Sequence, residues 1–164
     1  MMSRQLSISN LFRMGCSLAF FFLLSGSAYA AEEVKKMKGP ITITSQRLTA
    51  DNQAGTGLFE ISVVARTPDM TIYTDKMLVS YEKKTGNVKR IDASGKVKFI
   101  KEDRVITSQE ATYYADGEKV IFMGEPRAVQ GENVVTGSRM TYFMNEDRFF
   151  VEGSKVFLPK KKEQ

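Results

Sequence analysis

Two pairs of adjacent carboxylates, Glu102-Asp103 and Glu146-Asp147, are the residues of this 164-residue chain whose types best suit catalysis. Glycoside hydrolysis needs two acids, one to protonate the leaving oxygen and one to act as base or nucleophile, and it needs no histidine. That economy matters, because the chain has no His, no Trp and one Cys. A Cys/His zinc site, a nucleophile served by His, a His-held haem and a disulfide framework are all excluded. Both acidic pairs lie among turn-forming residues, where solvated carboxylates are poorly tuned for proton transfer. Gly55-Thr56-Gly57 lacks the further Gly, the Lys-Ser/Thr pair and the helix of a phosphate loop, so it reads as a hairpin turn. Asp51, Asp75 and Asp116 lack the alternating spacing of a calcium loop. The expectation is a protein that is not an enzyme and takes no cofactor or metal.

Residues 1–30 read as a cleaved secretory signal. Arg4 and Arg13 open it, the apolar run from Cys16 to Leu24 follows, and Ala28-Tyr29-Ala30 supplies small residues at the cleavage site. That run is short for a membrane span, and Glu32-Glu33 replaces a positive stop-transfer flank, which argues against a retained anchor. The remaining chain divides into a Lys-rich leader over 31–39, one folded domain over 40–158 and a basic tail over 159–164. The formal charge is +5, and without Arg4 and Arg13 it is +3. So small a surplus does not point to nucleic acid, which an exported protein seldom meets. Lys35, Lys36 and Lys38 precede the domain and Lys160, Lys161 and Lys162 follow it. They fit solvated guards of strand edges and contacts to anionic groups equally well.

The domain is repetitive. Units beginning Ile43-Thr44-Ser45-Gln46, Ile72-Tyr73-Thr74-Asp75, Ile106-Thr107-Ser108-Gln109 and Val135-Thr136-Gly137-Ser138 start 29, 34 and 29 residues apart, and Gly95, Gly124 and Gly153 are also 29 apart. Ahead of these glycines, Ile91 and Ala93, Val120 and Phe122, and Phe149 and Val151 alternate with the period of two that places them on one strand face. Val97 and Phe99 continue the first series. The later copies resume at Arg127/Val129 and Val156/Leu158, which predicts bulges near Glu125-Pro126 and Ser154. Turn signals fall at 51–55, 83–87, 115–117 and 144–147. No long helical stripe is present. The fold class is therefore all-β, about four units of strand, turn and strand, with uncapped ends that offer strand edges for docking.

Ile41-Thr42-Ile43-Thr44-Ser45-Gln46-Arg47-Leu48, Phe59 through Val64, Thr71-Ile72-Tyr73-Thr74-Asp75-Lys76-Met77 and Asn133 through Tyr142 together resemble the OstA-like family of periplasmic lipopolysaccharide-transport proteins. The resemblance runs from Pro40 to Leu158. One departure is local: where the family often has Gly-Asn, this chain has Ile61-Ser62, a β-branched residue in place of a permissive glycine.

The resemblance implies a repeat-built antiparallel β-jellyroll shaped as a half-open trough of short strands. It also implies a periplasmic carrier that binds lipopolysaccharide by the acyl chains of its lipid A portion. Such carriers associate end to end, bridging inner-membrane-anchored and outer-membrane transport proteins that have related jellyroll domains. Carried over by position, the family's lipid contacts fall on Ile41, Ile43, Phe99, Tyr113 and Ala115. Strand register adds Phe59, Met77, Val79, Ile91, Val120, Phe122, Met140, Tyr142 and Phe149. An inward apolar residue is either sealed core or groove wall. A trough filled by its own side chains carries no lipid, which favours the wall, and the nine Met residues fit an adaptable lining or ordinary gap filling. The alternative is a periplasmic β-solenoid that binds or cleaves polysaccharide, which would display a stripe of exposed aromatics.

Overall fold

The computed structural model describes residues 39–159, so the expected signal, most of the leader and the Lys tail lie outside the described residues. The twelve strands are β1 (Thr42–Thr44), β2 (Arg47–Asp51), β3 (Thr56–Arg66), β4 (Met70–Tyr81), β5 (Val88–Lys101), β6 (Arg104–Tyr114), β7 (Lys119–Met123), β8 (Arg127–Gln130), β9 (Asn133–Thr136), β10 (Arg139–Phe143), β11 (Arg148–Glu152) and β12 (Lys155–Phe157). All pairings are antiparallel and join one sheet. The fold class read from the sequence, an antiparallel jellyroll-like trough, is the one observed.

The sheet folds over on itself because the long strands break register near their middles. The shifts fall between Glu60 and Val63, between Tyr73 and Lys76, and between Ser94 and Val97. On one side of this line β2, β3, β4, β5, β6, β7, β10 and β11 pair in turn. On the other, β1, β3, β4, β5, β6, β8, β9 and β12 do so. Bulges bend and twist a strand, so a row of them acts as a crease. Across it the inner faces meet: Phe99 packs edge-on to Phe122 at 5.6 Å and to Tyr142 at 6.0 Å between ring centres.

The repeating glycines are the crease. Gly95, Gly124 and Gly153 have φ of 81°, 74° and 60°, and Ile61 and Ser62 take the same left-handed turn at 67° and 54°. A Cβ on Gly124 would lie 2.5 Å from Gln109 Cβ, and one on Gly95 would lie 2.7 Å from Asp75 Oδ2. The strands returning across the crease place hydroxyls there. Thr74 Oγ1 lies 2.8 Å from Ser94 O and 3.1 Å from Gly95 O, and Ser108 Oγ donates to Glu110 O at 2.9 Å. Those hydroxyls satisfy carbonyls that the bulges free from the ladder, which an apolar residue would leave unpaired.

The alternating apolar positions face inward, as the period of two requires. Val63, Met77, Val79, Val97, Phe99, Ile106, Phe122, Met140 and Tyr142 are sealed from solvent. In one strand the register differs from expectation. In β8, Ala128 stands opposite buried Ile106 and packs on the core, while Arg127 and Val129 pair with Thr107 and Val105. The cause is that Gly124, Glu125 and Pro126 all lie in the crease, so the inward series restarts at an even number.

Ile61 tests the crease directly. A left-handed β-branched residue costs about 1–2 kcal/mol, glycine's backbone entropy returns part of this, and Ile61 is 43% exposed, so Ile61→Gly is expected to stabilise by roughly 0.5–1 kcal/mol in denaturant unfolding. Gly124→Ala at the equivalent place should destabilise by about 1–3 kcal/mol. Loss of stability in the first variant would show that the isoleucine side chain, not backbone freedom, governs this turn.

Candidate functional site

All the inward residues singled out from the sequence face the trough, but they occupy different environments. Ile41, Met77, Ile91, Phe99, Tyr113 and Val120 line one narrow cleft of about 40 Å³ with Ala65, Thr67, Met70, Ile72, Ala111 and Met144. Thr67 Oγ1 and Tyr113 Oη are the polar side-chain groups among its lining residues, and the free space is well below the ~300–1,000 Å³ of small-molecule sites, so a ligand of that size enters only as these side chains move apart. Met140 and Phe149 line a second cleft of about 170 Å³ with Arg104, Ala128, Val129, Gln130, Asn133, Val135 and Val151. Tyr113 and Ala115 border an open hollow at the mouth that also includes Ile41, Tyr81 and Glu118, and Phe59 borders another with Leu48 and Tyr81. Ile43 is half-buried against the core, while Val79, Phe122 and Tyr142 are sealed within it.

The two clefts are linked by an aromatic series. Phe122 meets Phe99, Phe99 meets Tyr142, and Tyr142 stacks on Phe149 with ring centres 4.3 Å apart and planes 10° from parallel. Sequence reasoning did not select Ala65, Met70, Ile72, Ala111 and Met144. Ala65, Met70 and Ile72 were legible as inward positions by alternation along β3 and β4, whereas Met144 lies in a turn, where no periodicity reaches.

A polar latch joins the two lips over this aromatic series, and no motif announced it. Lys101 and Arg104 flank the β5–β6 turn on one lip, while Tyr142 and Asp147 stand at the β10–β11 turn on the other. Lys101 Nζ donates to Tyr142 Oη at 2.6 Å, and Tyr142 Oη donates to Asp147 Oδ1 at 2.8 Å. Arg104 Nη1 donates to the same carboxylate oxygen at 3.0 Å. Arg104 also lies 4.7 Å from the Phe149 ring centre, a distance at which a cation is drawn to a ring face.

Ionisation follows this geometry. The hydrogen bond from Tyr142 holds the Asp147 carboxyl below its ordinary value, with help from Arg104 and Lys101 against a desolvation penalty. Burial presses the Lys101 ammonium downward, but its hydrogen bond to Tyr142 and the nearby Tyr142, Asp147 and Asp69 charges outweigh this and leave it raised. Tyr113 is pushed up to about 12, first by burial and then by Glu118.

The acidic pairs do not form a hydrolytic centre. Asp147 is committed to the latch, Glu146 to Arg148 at 2.6 Å, and Asp103 accepts from Gln130 at 3.1 Å. A carboxyl held below its ordinary value has surrendered the proton that a general acid must donate at neutral pH. Among the described residues, no group of three or more His, Cys, Asp or Glu is placed to hold a metal ion. The large exposed aromatics among the described residues, Tyr73, Phe150 and Phe157, stand on three different strands, β4, β11 and β12, and make no stripe for sugars there.

Comparison with known proteins agrees with the geometry. A family model described as LptA/(LptD N-terminal domain) LPS transport protein matches residues 42–148. Among solved structures, the chain resembles LptH of Pseudomonas aeruginosa, described as the LptA-homologous periplasmic component of the conserved lipopolysaccharide transport device. The TM-score is 0.68 over 76% of this chain and 99% of that one, at 10% identity, a likeness of fold. No curated protein matches the sequence.

The latch makes a pH prediction. Because the folded carboxyl of Asp147 titrates below its unfolded value, its contribution is complete above about pH 4 and is lost as pH falls through the folded value. Asp147→Asn should therefore lower the thermal midpoint by about 1–3 °C at pH 7, a small effect because the carboxylate is exposed. The gap from wild type should close below pH 4. Coincident melting at pH 7 would mean that the latch does not hold the lips.

Proposed function

The chain belongs to the LptA/LptD N-terminal domain family of lipopolysaccharide-transport proteins, and from that premise we propose that it is a periplasmic carrier whose trough holds the acyl chains of lipid A. The observation that carries this reading is the first cleft, whose wall from Ile41 to Met144 is almost wholly apolar. Each methylene of an acyl chain gains about 0.8 kcal/mol on leaving water, so a carrier needs little more than a shielded apolar surface. Catalytic groups would add nothing to that task, and the cleft offers none.

Transfer across the periplasm also needs a route from one molecule to the next. Among the described residues, β1 and β2 pair only with β3, β11 only with β10, and β12 only with β9, so both ends of the described sheet present unpaired edges. Leu48 at one end and Phe150, Val156 and Phe157 at the other are each more than half exposed. Such edges favour strand addition. The proposed partners are further copies of this chain, an inner-membrane-anchored transport protein and an outer-membrane one, each with a related jellyroll domain whose trough would continue this one.

A photo-crosslinking residue placed at Ile41 or Tyr113 should capture lipopolysaccharide in cells, while one at outward-facing Lys98 should not. Equal labelling at all three positions would remove the trough from the account. For assembly, light scattering over a concentration series should show growth beyond the monomer that Val156→Glu suppresses. A wild-type protein that stays monomeric throughout would contradict end-to-end association.

A further inference from the structure

The latch does more than the carrier reading requires. Lys101 and Arg104 are two cations whose side chains are only 18% and 19% exposed, and they converge on a single carboxylate oxygen of Asp147, itself 62% exposed. Their positions are fixed by aromatic side chains, Lys101 by the Tyr142 hydroxyl and Arg104 by the ring face of Phe149. Asp147, by contrast, sits on a turn at φ 47°, a left-handed position that a non-glycine residue adopts at a cost. Asp69, the other carboxylate that acts on Lys101, is held by Thr67 Oγ1 at 2.8 Å, and Asp103 is held by Gln130. One anionic oxygen thus receives an arginine N–H and a phenol O–H, with an ammonium 4.0 Å away.

Below this cluster lies the second cleft. Arg104 belongs to its wall, with Ala128, Val135, Met140, Phe149 and Val151 inside and the amides Gln130 and Asn133 beside them. An apolar cavity with a paired cation at its lip has the polarity of an amphiphile with an anionic head. A guanidinium fork suits phosphate, which offers more oxygens than the single one Asp147 supplies.

Resting on the carrier reading, we propose that Lys101 and Arg104 form a binding site for a phosphate-bearing lipid headgroup whose chain enters the second cleft, and that Asp147 occupies this site in the empty carrier. Headgroup phosphate displaces the Asp147 carboxylate, frees the lip-to-lip bond and couples loading to opening of the trough. On unloading, the carboxylate returns and shields the two cations from other anions.

The test compares two probes with identical acyl chains, diphosphoryl lipid A and the same lipid after enzymatic dephosphorylation, in equilibrium binding to the protein. Wild type is expected to prefer the phosphorylated form by about tenfold, the effect of a charge-assisted contact. The Lys101→Gln/Arg104→Gln double variant should bring the ratio of affinities to about one, and Asp147→Asn should raise it by removing the internal competitor. If circular dichroism shows the double variant unfolded, Arg104→Lys keeps the charge without the fork and should lower the ratio about threefold. Millimolar inorganic phosphate should not displace the phosphorylated lipid. Equal affinities of wild type for both lipids, a ratio that survives the substitutions, or displacement by free phosphate would each overturn the headgroup site. Binding of neither lipid would instead overturn the carrier reading beneath it.

Discussion

A β-sheet with one apolar face has to hide that face, and in this protein a single sheet hides it against itself. The crease that allows this is a backbone constraint before it is a packing one. Gly95, Gly124 and Gly153, with Ile61-Ser62 in the equivalent place, turn left-handed once per repeat. The space beside the glycines admits no side chain without displacing Asp75, Gln109 or Ser138. Without the crease the inner face would have no partner, since the described elements are all strands and no helix layer covers the sheet.

The crease also determines where the fold can be open. Strands meet tightly along it, while the hairpin turns on the far side form two lips held by side chains. Fully buried Phe99, Phe122, Met140 and Tyr142 knit the halves together midway along the trough, and cavities remain to either side. The same apolar surface thereby serves stability and cargo. Residues with many aromatic neighbours fix the spacing of the halves, and residues such as Ile41, Met70 and Met144 line space that those neighbours leave unfilled. Methionine suits that duty, being flexible and polarisable enough to adapt to a ligand.

Much of the fold was legible because it is periodic. Alternation at Ile91, Ala93, Val97 and Phe99 and at Val120 and Phe122 identifies inward faces, and the bulges expected near Glu125-Pro126 and Ser154 fall on the crease at Gly124 and Gly153, whereas its passage through Gly95 left that alternation unbroken and unmarked. Two kinds of feature escaped. The register of β8 depends on how many residues the bulge absorbs, which no pattern in Glu125-Pro126-Arg127 states, so Ala128 replaces Arg127 and Val129 on the inner face. The latch escaped because Lys101, Arg104, Tyr142 and Asp147 come from turns and strand ends on opposite lips. Tyr142 was legible as an inward ring by register, but the partners of its hydroxyl are set by how the lips meet, a property of the folded-over sheet.

The central claim is that acyl chains occupy the space lined by the inner face. Methyl nuclear magnetic resonance of the methionines reads this most directly, because Met70, Met77 and Met144 line the first cleft whereas Met123 stands outside it, 40% exposed. On adding lipopolysaccharide, the account predicts shifts at Met70, Met77 and Met144 with Met123 unmoved. Shifts confined to Met123, or spread evenly over all four, would contradict it.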